Sequence, residues 1–295
     1  MRHVSEPIEF DTKDLDIRRM LKALERGEFM LFYQPQVSAQ SGEVVGAEAL
    51  IRWQHPSRGL LVAASFLPML QDLRFALRVG EWAIWRARQD IERWRGAGFA
   101  RVPIAVNIHP EHLALPQFVP MFLAASEGML DIEIIEAAGR EKEIAPALYA
   151  LRTAGVKVAL DDFGIGYSTF GRLAELPIDV LKVDKSFTSA LTRPRSLPDL
   201  VRTRRILSTL VSLSHICKFI TIAEGVETPA DLAAVRELGF DQSQGYLHSP
   251  AVSAEAFCRF LRPAAASIGG QPRRSGCAAR EERSGARAEP PAVHP

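Results

Sequence analysis

The chain has 295 residues, 47% hydrophobic and 24% charged, with 36 Lys and Arg balanced by 35 Asp and Glu. That is enough apolar material for one large or two small domains. A net charge of +1 provides no global positive field to carry the molecule onto a nucleic-acid polymer or an anionic membrane, so any anionic ligand must be met by local groups. Three widely spaced cysteines, Cys217, Cys258 and Cys277, form no CxxC pair, which fits a reducing cytoplasm.

In chain order, Met1 to Asp16 lacks the basic and apolar blocks of a secretory signal and is read as a lead-in, so a cytoplasmic location is expected. No sensory partner domain is expected within the short N-terminus. Short β-type runs then alternate with longer helical stretches from about Phe29 to about Leu261. Candidate strands are Met30 to Gln34, Val44 to Ile51, Val102 to Ile108, Ile132 to Glu136, Val156 to Leu160, Val180 to Val183, Phe219 to Ala223 and Asp241 to Gly245. The apolar run Leu60 to Leu70, broken by Ser65 and Pro68, is about half of the ~20 residues needed to span a bilayer.

Between the strands, Ile84, Ala87, Ile91 and Trp94 form one helical stripe, and Ile206, Leu210, Leu213 and Cys217 a second, each expected to face a sheet. Thr228 is placed as an N-cap with Pro229 at the first helical position, and Gly239 suits the left-handed residue after that helix. Eight strand-plus-helix units in this length match an α/β fold of the (β/α)8 TIM-like barrel type, which is favoured over an open doubly wound sheet. From Ala264 to Pro295 there is no aromatic residue and much Ala, Gly, Ser, Pro and Arg, the composition of a disordered tail. The expected division is therefore 1–16 lead-in, 17–263 folded domain and 264–295 tail.

Polar residues recur where the apolar strand runs stop: Glu48, Asn107, Glu133, Glu136, Asp161, Asp162, Lys182, Glu224 and Gln244. In a closed barrel these positions converge on one rim, where so many carboxylates would repel one another unless cations neutralise them. The donors are oxygens, which select Mg²⁺ or Mn²⁺. Each residue taken singly has a plain structural reading: Glu48 a surface carboxylate, Asn107 a cap, Asp161-Asp162 a cap and turn, Glu224 and Glu227 a solvated loop. Lys182 is harder to explain so, because an ammonium inside the apolar run Val180 to Val183 is costly without an acidic partner. It is the repetition at successive strand ends that argues for a site.

The order of short motifs makes the reading specific: Tyr33-Gln34-Pro35, Glu48-Ala49-Leu50, Val106-Asn107-Ile108, Glu133-Ile134-Ile135-Glu136, Asp161-Asp162-Phe163-Gly164, Leu181-Lys182-Val183-Asp184, Ala223-Glu224-Gly225-Val226-Glu227 and Gln244-Gly245-Tyr246. The chain resembles the EAL-domain cyclic di-GMP phosphodiesterases over about residues 17 to 261. The resemblance implies a barrel whose first strand is antiparallel to the rest, and metal-dependent hydrolysis of cyclic di-GMP to linear pGpG. It further implies that Glu48, Asn107, Glu133 and Asp161 bind a first divalent cation, and that Asp162, helped by Glu224, serves a second. Lys182 would orient the attacking water. Glu136 would hold the loop after Asp162, Gln34 and Arg52 would meet the ligand, and Gln244 and Glu227 would complete the rim. Ca²⁺ is expected to inhibit, because its larger and looser shell holds the attacking water less well. Members of the family often dimerise, so a homodimer is compatible with the resemblance, as is a regulatory protein partner.

Some positions depart from the family pattern. Ile165 stands where a small residue is usual, in a segment the resemblance makes a moving loop; Ile135 replaces a frequent Thr; Gln71-Asp72-Leu73-Arg74 replaces a Glu-Glu-Thr-Gly; and His248-Ser249-Pro250 lacks a basic residue before the proline. The alternative reading is therefore a catalytically weak or silent receptor or protein-interaction module on the same fold. A barrel enzyme for sugar phosphates would need a Gly-rich phosphate loop after the last two strands, and Ala223 to Thr228 and Gln244 to Tyr246 do not resemble one.

Overall fold

The computed structural model describes residues 17–135, 140–163 and 176–264. Glu136, Ile165 and nearly all of the expected lead-in and tail lie outside the described residues. Eight strands close a barrel: β1 (Phe29–Ser38), β2 (Val44–His55), β4 (Ile104–Asn107), β5 (Leu130–Ile134), β6 (Val158–Phe163), β7 (Val180–Val183), β8 (Ile220–Ala223) and β9 (Gln242–Ser243), with β1 paired to both β2 and β9. From β2 through β9 neighbours are parallel, whereas β1 is antiparallel on both sides. The short link through Gly42, at φ +73°, can join β1 to β2 only as a hairpin, and this fixes the reversed strand. Closure on β1 selects the barrel over the open sheet.

The eight expected strands all form, with ends moved by a few residues; the fourth starts earlier, at Leu130. Two short strands were not anticipated. β3 (Gly59–Val62) folds back on the upper part of β2, and β10 (Val252–Ser253) pairs with Phe32 and Tyr33 of β1. The apolar run from Leu60 therefore divides between β3, a 3₁₀ turn (Ala63–Phe66) and a one-turn helix, α1 being Ile17–Glu25 and α2 Leu67–Leu70.

Alternation along β1 sorts its side chains. Leu31 and Tyr33 pack outward into the core shared with the helices, with Ile84, Ala87, Ile91 and Trp94 of α3 (Leu73–Gly96) buried against the sheet as expected. The phenol of Tyr33 donates to Asp90 Oδ2 at 2.8 Å, and that wholly buried carboxylate also accepts from Arg86 and Arg93, so its charge is compensated. Inside the barrel, Ala159, Val180 and Ile222 with Ile220 form a separate apolar plug. A third cluster, including Met20, Phe29, Trp53, Phe66 and Phe75, fills the space between α1, the β2–β3 hairpin and the start of α3.

The helices following α3 are α4 (Pro110–Leu113), α5 (Phe118–Ser126), α6 (Glu141–Thr153), α7 (Lys185–Thr192), α8 (Leu197–Ile216), α9 (Pro229–Glu237) and α10 (Ala254–Phe257). The stripe expected on α8 is off by one residue. Leu207, Leu210, Val211 and Ser214 are buried, while Ile206 and Cys217 are exposed. Adjacent apolar pairs, Ile206-Leu207 and Leu210-Val211, admit two helical phases, and packing on the barrel selects the second. Thr228 caps α9 as expected: its hydroxyl accepts from Asp231 N while Asp231 accepts from Thr228 N. Gly239 follows at φ +83°. Among the described residues, no helix is long and apolar enough to cross a membrane.

Candidate active site

The inward-facing residues at the ends of the parallel strands meet above the plug of Ala159, Val180 and Ile222. Lys182 of β7 stands at the centre, 1% exposed. Its Nζ lies 3.2 Å from Glu48 Oε2 of β2 and 2.8 Å from Glu224 Oε1, which follows β8, and it hydrogen-bonds Glu133 of β5. It also stands 3.0 Å from Asp161 Oδ1 of β6, an ion pair lacking hydrogen-bond alignment. The acidic partner that the buried lysine demanded is thus four carboxylates. Water is excluded from below by the plug, so this ammonium is held by charge rather than hydration.

Asp161 and Asp162 are neighbours in a strand, and regular pleating would point them to opposite faces. The ladder between β6 and β7 instead shifts register between Leu160 and Phe163, and Asp162 takes a left-handed φ of +55°. Asp is among the side chains that tolerate this conformation. The irregularity lets ligand oxygens of Asp161, Asp162 and Glu224 lie within 4.8 Å of one another; Glu48, Glu133 and Glu224 form a second such group. Glu224 belongs to both.

The amides complete the mouth. Asn107 Nδ2 donates to Glu48 Oε1 at 2.9 Å, which leaves its carbonyl oxygen as the atom it can offer a ligand. Gln244 Nε2 donates to Glu48 Oε2 at 2.7 Å and to Gln34 Oε1 at 3.1 Å. Arg52 lies above, its guanidinium carbon 5.6 Å from the Phe32 ring centroid and Nη1 donating to the Ile51 carbonyl. Burial lowers its pKa, with the Glu48 charge opposing. Glu227 turns to Arg193, 3.4 Å away, and no described hydrogen bond or ion pair ties it to the carboxylates. The structure therefore brings together Gln34, Glu48, Asn107, Glu133, Asp161, Asp162, Lys182, Glu224 and Gln244, with Arg52 nearby and Glu227 apart.

Two glycines hold the loops that carry these groups. Gly225, at φ +65°, passes so close to Lys185 that a Cβ there would lie 2.3 Å from the lysine's own. At Gly245 a Cβ would lie 2.2 Å from the Val226 carbonyl oxygen, so the loop bearing Gln244 rests directly on the backbone following Glu224.

One ammonium cannot balance five carboxylates in so dry a place, and the cluster retains protons. Burial, then repulsion from Glu48, pushes Glu133 well above the ordinary carboxyl range. Burial raises Glu224 to about 7, and burial with the Asp161 charge raises Asp162. Burial also works to raise Asp161, but the charge of Lys182 beside it outweighs this and holds the carboxyl low. For Lys182 burial favours loss of the proton, yet its carboxylates, Glu133 foremost, keep it well above the usual amine value. Glu133 Oε2 is buried and accepts no hydrogen bond among the described residues. An orphaned carboxylate oxygen in an all-oxygen cluster fits a hard divalent cation.

Residues 17–251 match the EAL domain model. The chain belongs to the EAL domain family. Among curated relatives, this EAL chain is 34% identical over 260 residues to the cyclic di-GMP phosphodiesterase NbdA of Pseudomonas aeruginosa, covering 85% of this chain and 32% of that protein. It is 33% identical over 242 residues to the bifunctional diguanylate cyclase/cyclic di-GMP phosphodiesterase MucR of the same organism, covering 79% and 34%. The chain thus spans about a third of the length of these relatives. Among solved structures, it superposes on the MucR phosphodiesterase in complex with c-di-GMP with a TM-score of 0.73 and 32% identity, covering 82% of this chain and 100% of that one. The EAL enzyme Bd1971, bound to cAMP and cyclic-di-GMP, gives a TM-score of 0.75 at 26% identity, covering 83% and 68%.

Sequence reasoning did not single out Gln36, whose amide donates to Gln244 Oε1 at 3.3 Å. The signal was available, since Gln36 lies two residues from Gln34 and strand alternation puts both on one face. The departure Gln71 to Arg74 also acquires a role: Asp72 is the N-cap of α3, accepting from Arg74 N and from the Arg74 guanidinium.

Proposed function

We propose that this chain hydrolyses cyclic di-GMP to linear pGpG, using divalent Mg²⁺ or Mn²⁺ held by Glu48, Asn107, Glu133, Asp161, Asp162 and Glu224. The observation that carries this reading is Lys182, a buried ammonium encircled by carboxylates at the barrel mouth. The named activity of the EAL relatives supports it. When bound, such cations supply Lewis-acid polarisation and neutralise charge on the transferring phosphoryl group. The chain's own groups bind, orient and move protons. Arg52 presents a planar fork suited to a phosphate or a guanine edge, and Gln34 lies on the same side of the mouth. Lys182 Nζ orients the attacking water and offsets negative charge that develops on the phosphoryl oxygens. Water's oxygen joins phosphorus as the bond from phosphorus to the ribose ester oxygen breaks; Glu224, at the edge of the cluster, takes the water's proton, and the departing oxygen takes a proton from solvent to become the ribose hydroxyl.

The test is product analysis with purified protein, cyclic di-GMP and Mg²⁺ or Mn²⁺. Wild type yields pGpG, Ca²⁺ substitution suppresses it, and Glu48→Ala abolishes it while the protein stays folded. Binding without turnover by wild type would overturn the hydrolase in favour of a receptor.

A further inference from the structure

Gln36 is buried, 8% exposed, and sits one inward-facing layer beneath the mouth. In the β1–β2 ladder Gln34 faces Glu48 and Gln36 faces Gly46, and a register irregularity falls between Gln36 and Val37. We propose that Gln36 is a positioning residue that locks the side-chain amide of Gln244, and through it the Glu48 carboxylate, in the orientation that cation binding needs. The inference rests on the metal-dependent reading of the site.

A primary amide is nearly symmetric in shape and opposite in polarity at its two ends, so only its partners decide which way it lies. Gln244 is 4% exposed and has the Glu48 carboxylate, 5% exposed, on one side. Toward that carboxylate it must present NH₂, and does so at 2.7 Å. Its carbonyl oxygen then faces inward, where the Gln36 NH₂ meets it. Turned over, Gln244 would set a carbonyl oxygen against a carboxylate oxygen in a place without solvent to screen them.

Gly46 provides an independent observation. A Cβ at that position would lie 2.8 Å from Gln36 Oε1 and 3.8 Å from Gln36 Cβ, so the Gln36 amide lies in space that Gly46 leaves open and would have to shift if residue 46 carried a side chain. Beyond Gln36 the ladder skips Val45 of β2, so Gln36 and Gly46 are the last pair in the register that also sets Gln34 opposite Glu48. None of these groups needs to touch substrate.

The experiment uses the full chain, with Gln36→Met to keep length while removing the amide, Gly46→Ala to displace it, and the double variant. Mn²⁺ affinity is measured by calorimetry on nucleotide-free protein, alongside kcat and KM for cyclic di-GMP and the Gln244 side-chain amide resonances of metal-free protein. Each single change is expected to weaken Mn²⁺ binding and lower kcat about tenfold, the scale of one hydrogen bond, with KM within about twofold. The Gln244 amide signals move in both variants. Because both break the same contact, the double variant is expected to be no worse than the worse single one. Wild-type Mn²⁺ affinity in folded Gln36→Met, or losses that add in the double variant, would overturn the proposal. If Gln36→Met does not fold, Gly46→Ala and its amide spectrum decide. Should wild type neither bind Mn²⁺ nor turn over, the function proposed above fails, while unmoved Gln244 resonances would sink the lock itself.

Discussion

Replacing Lys182 by Met keeps length and removes one charge from the centre of four carboxylates. Deleting one partner of a buried ion pair ordinarily costs about 3–5 kcal/mol, because the other charge is left uncompensated. For a domain of this size that is a fall in Tm of roughly 6–20 °C. The cluster has a way to soften the loss, which gives the prediction its pH dependence. Lys182 pulls down the pKa values of Glu133, Asp161 and Glu224, so its removal raises all three in the folded state. A carboxyl whose folded pKa exceeds its unfolded value near 4.3 contributes stability below that value and loses it as pH climbs through the raised one. In EDTA, the Tm gap between wild type and Lys182→Met is therefore expected to be small at pH 5 and large at pH 8, and Mn²⁺ at pH 8 narrows it. Turnover falls by at least about a hundredfold at every pH. Equal gaps at pH 5 and pH 8 would refute the electrostatic account, and an unchanged Tm would show that the lysine is not held as described.

Because Glu224 titrates near 7, a cation entering at pH 6 must displace a proton that is already leaving at pH 8. Mn²⁺ affinity is expected to tighten over that interval with net proton release, read by calorimetry in two buffers of different ionisation enthalpy; pH-independent affinity would contradict it. Thr228→Ala removes one half of the capping box and is expected to cost about 1 kcal/mol, or roughly 2–4 °C in Tm. Gly245→Ala drives a methyl into the Val226 carbonyl and is expected to lower Tm further and to reduce turnover, since the loop it displaces carries Gln244; a wild-type melting curve would show that the contact is dispensable.

The barrel was legible because its strands are short apolar runs that end in polar residues, and those ends became the mouth. What escaped were features set by pairing rather than composition. β10 is two residues long, and Val252-Ser253 carries no periodic signal; it exists because β1 offers it an edge. β3 hid inside an apolar run that continues past it into a turn and a helix. On α8, two neighbouring apolar pairs left the buried face undecided by one residue. At the site the ligand-bearing positions could be named from strand ends, but the left-handed turn at Asp162 could not, because a non-glycine residue in that conformation leaves no mark in the sequence. Glu227, expected on the rim from its motif, has Arg193 3.4 Å away, a contact between residues 34 apart that the motif does not announce.

The reversed first strand also bears on how the chain reaches its final form during synthesis. β1 leaves the ribosome before the other barrel strands, yet the edge it turns away from β2 is covered by residues 242–243 and 252–253. Until those arrive, the nascent sheet carries an open row of amide and carbonyl groups, the kind of edge that recruits strands from other chains. A stop codon or a protease cut before about residue 250 would thus do more than trim a terminus. It would leave a ring without its clasp, and inclusion bodies are the expected fate of such fragments.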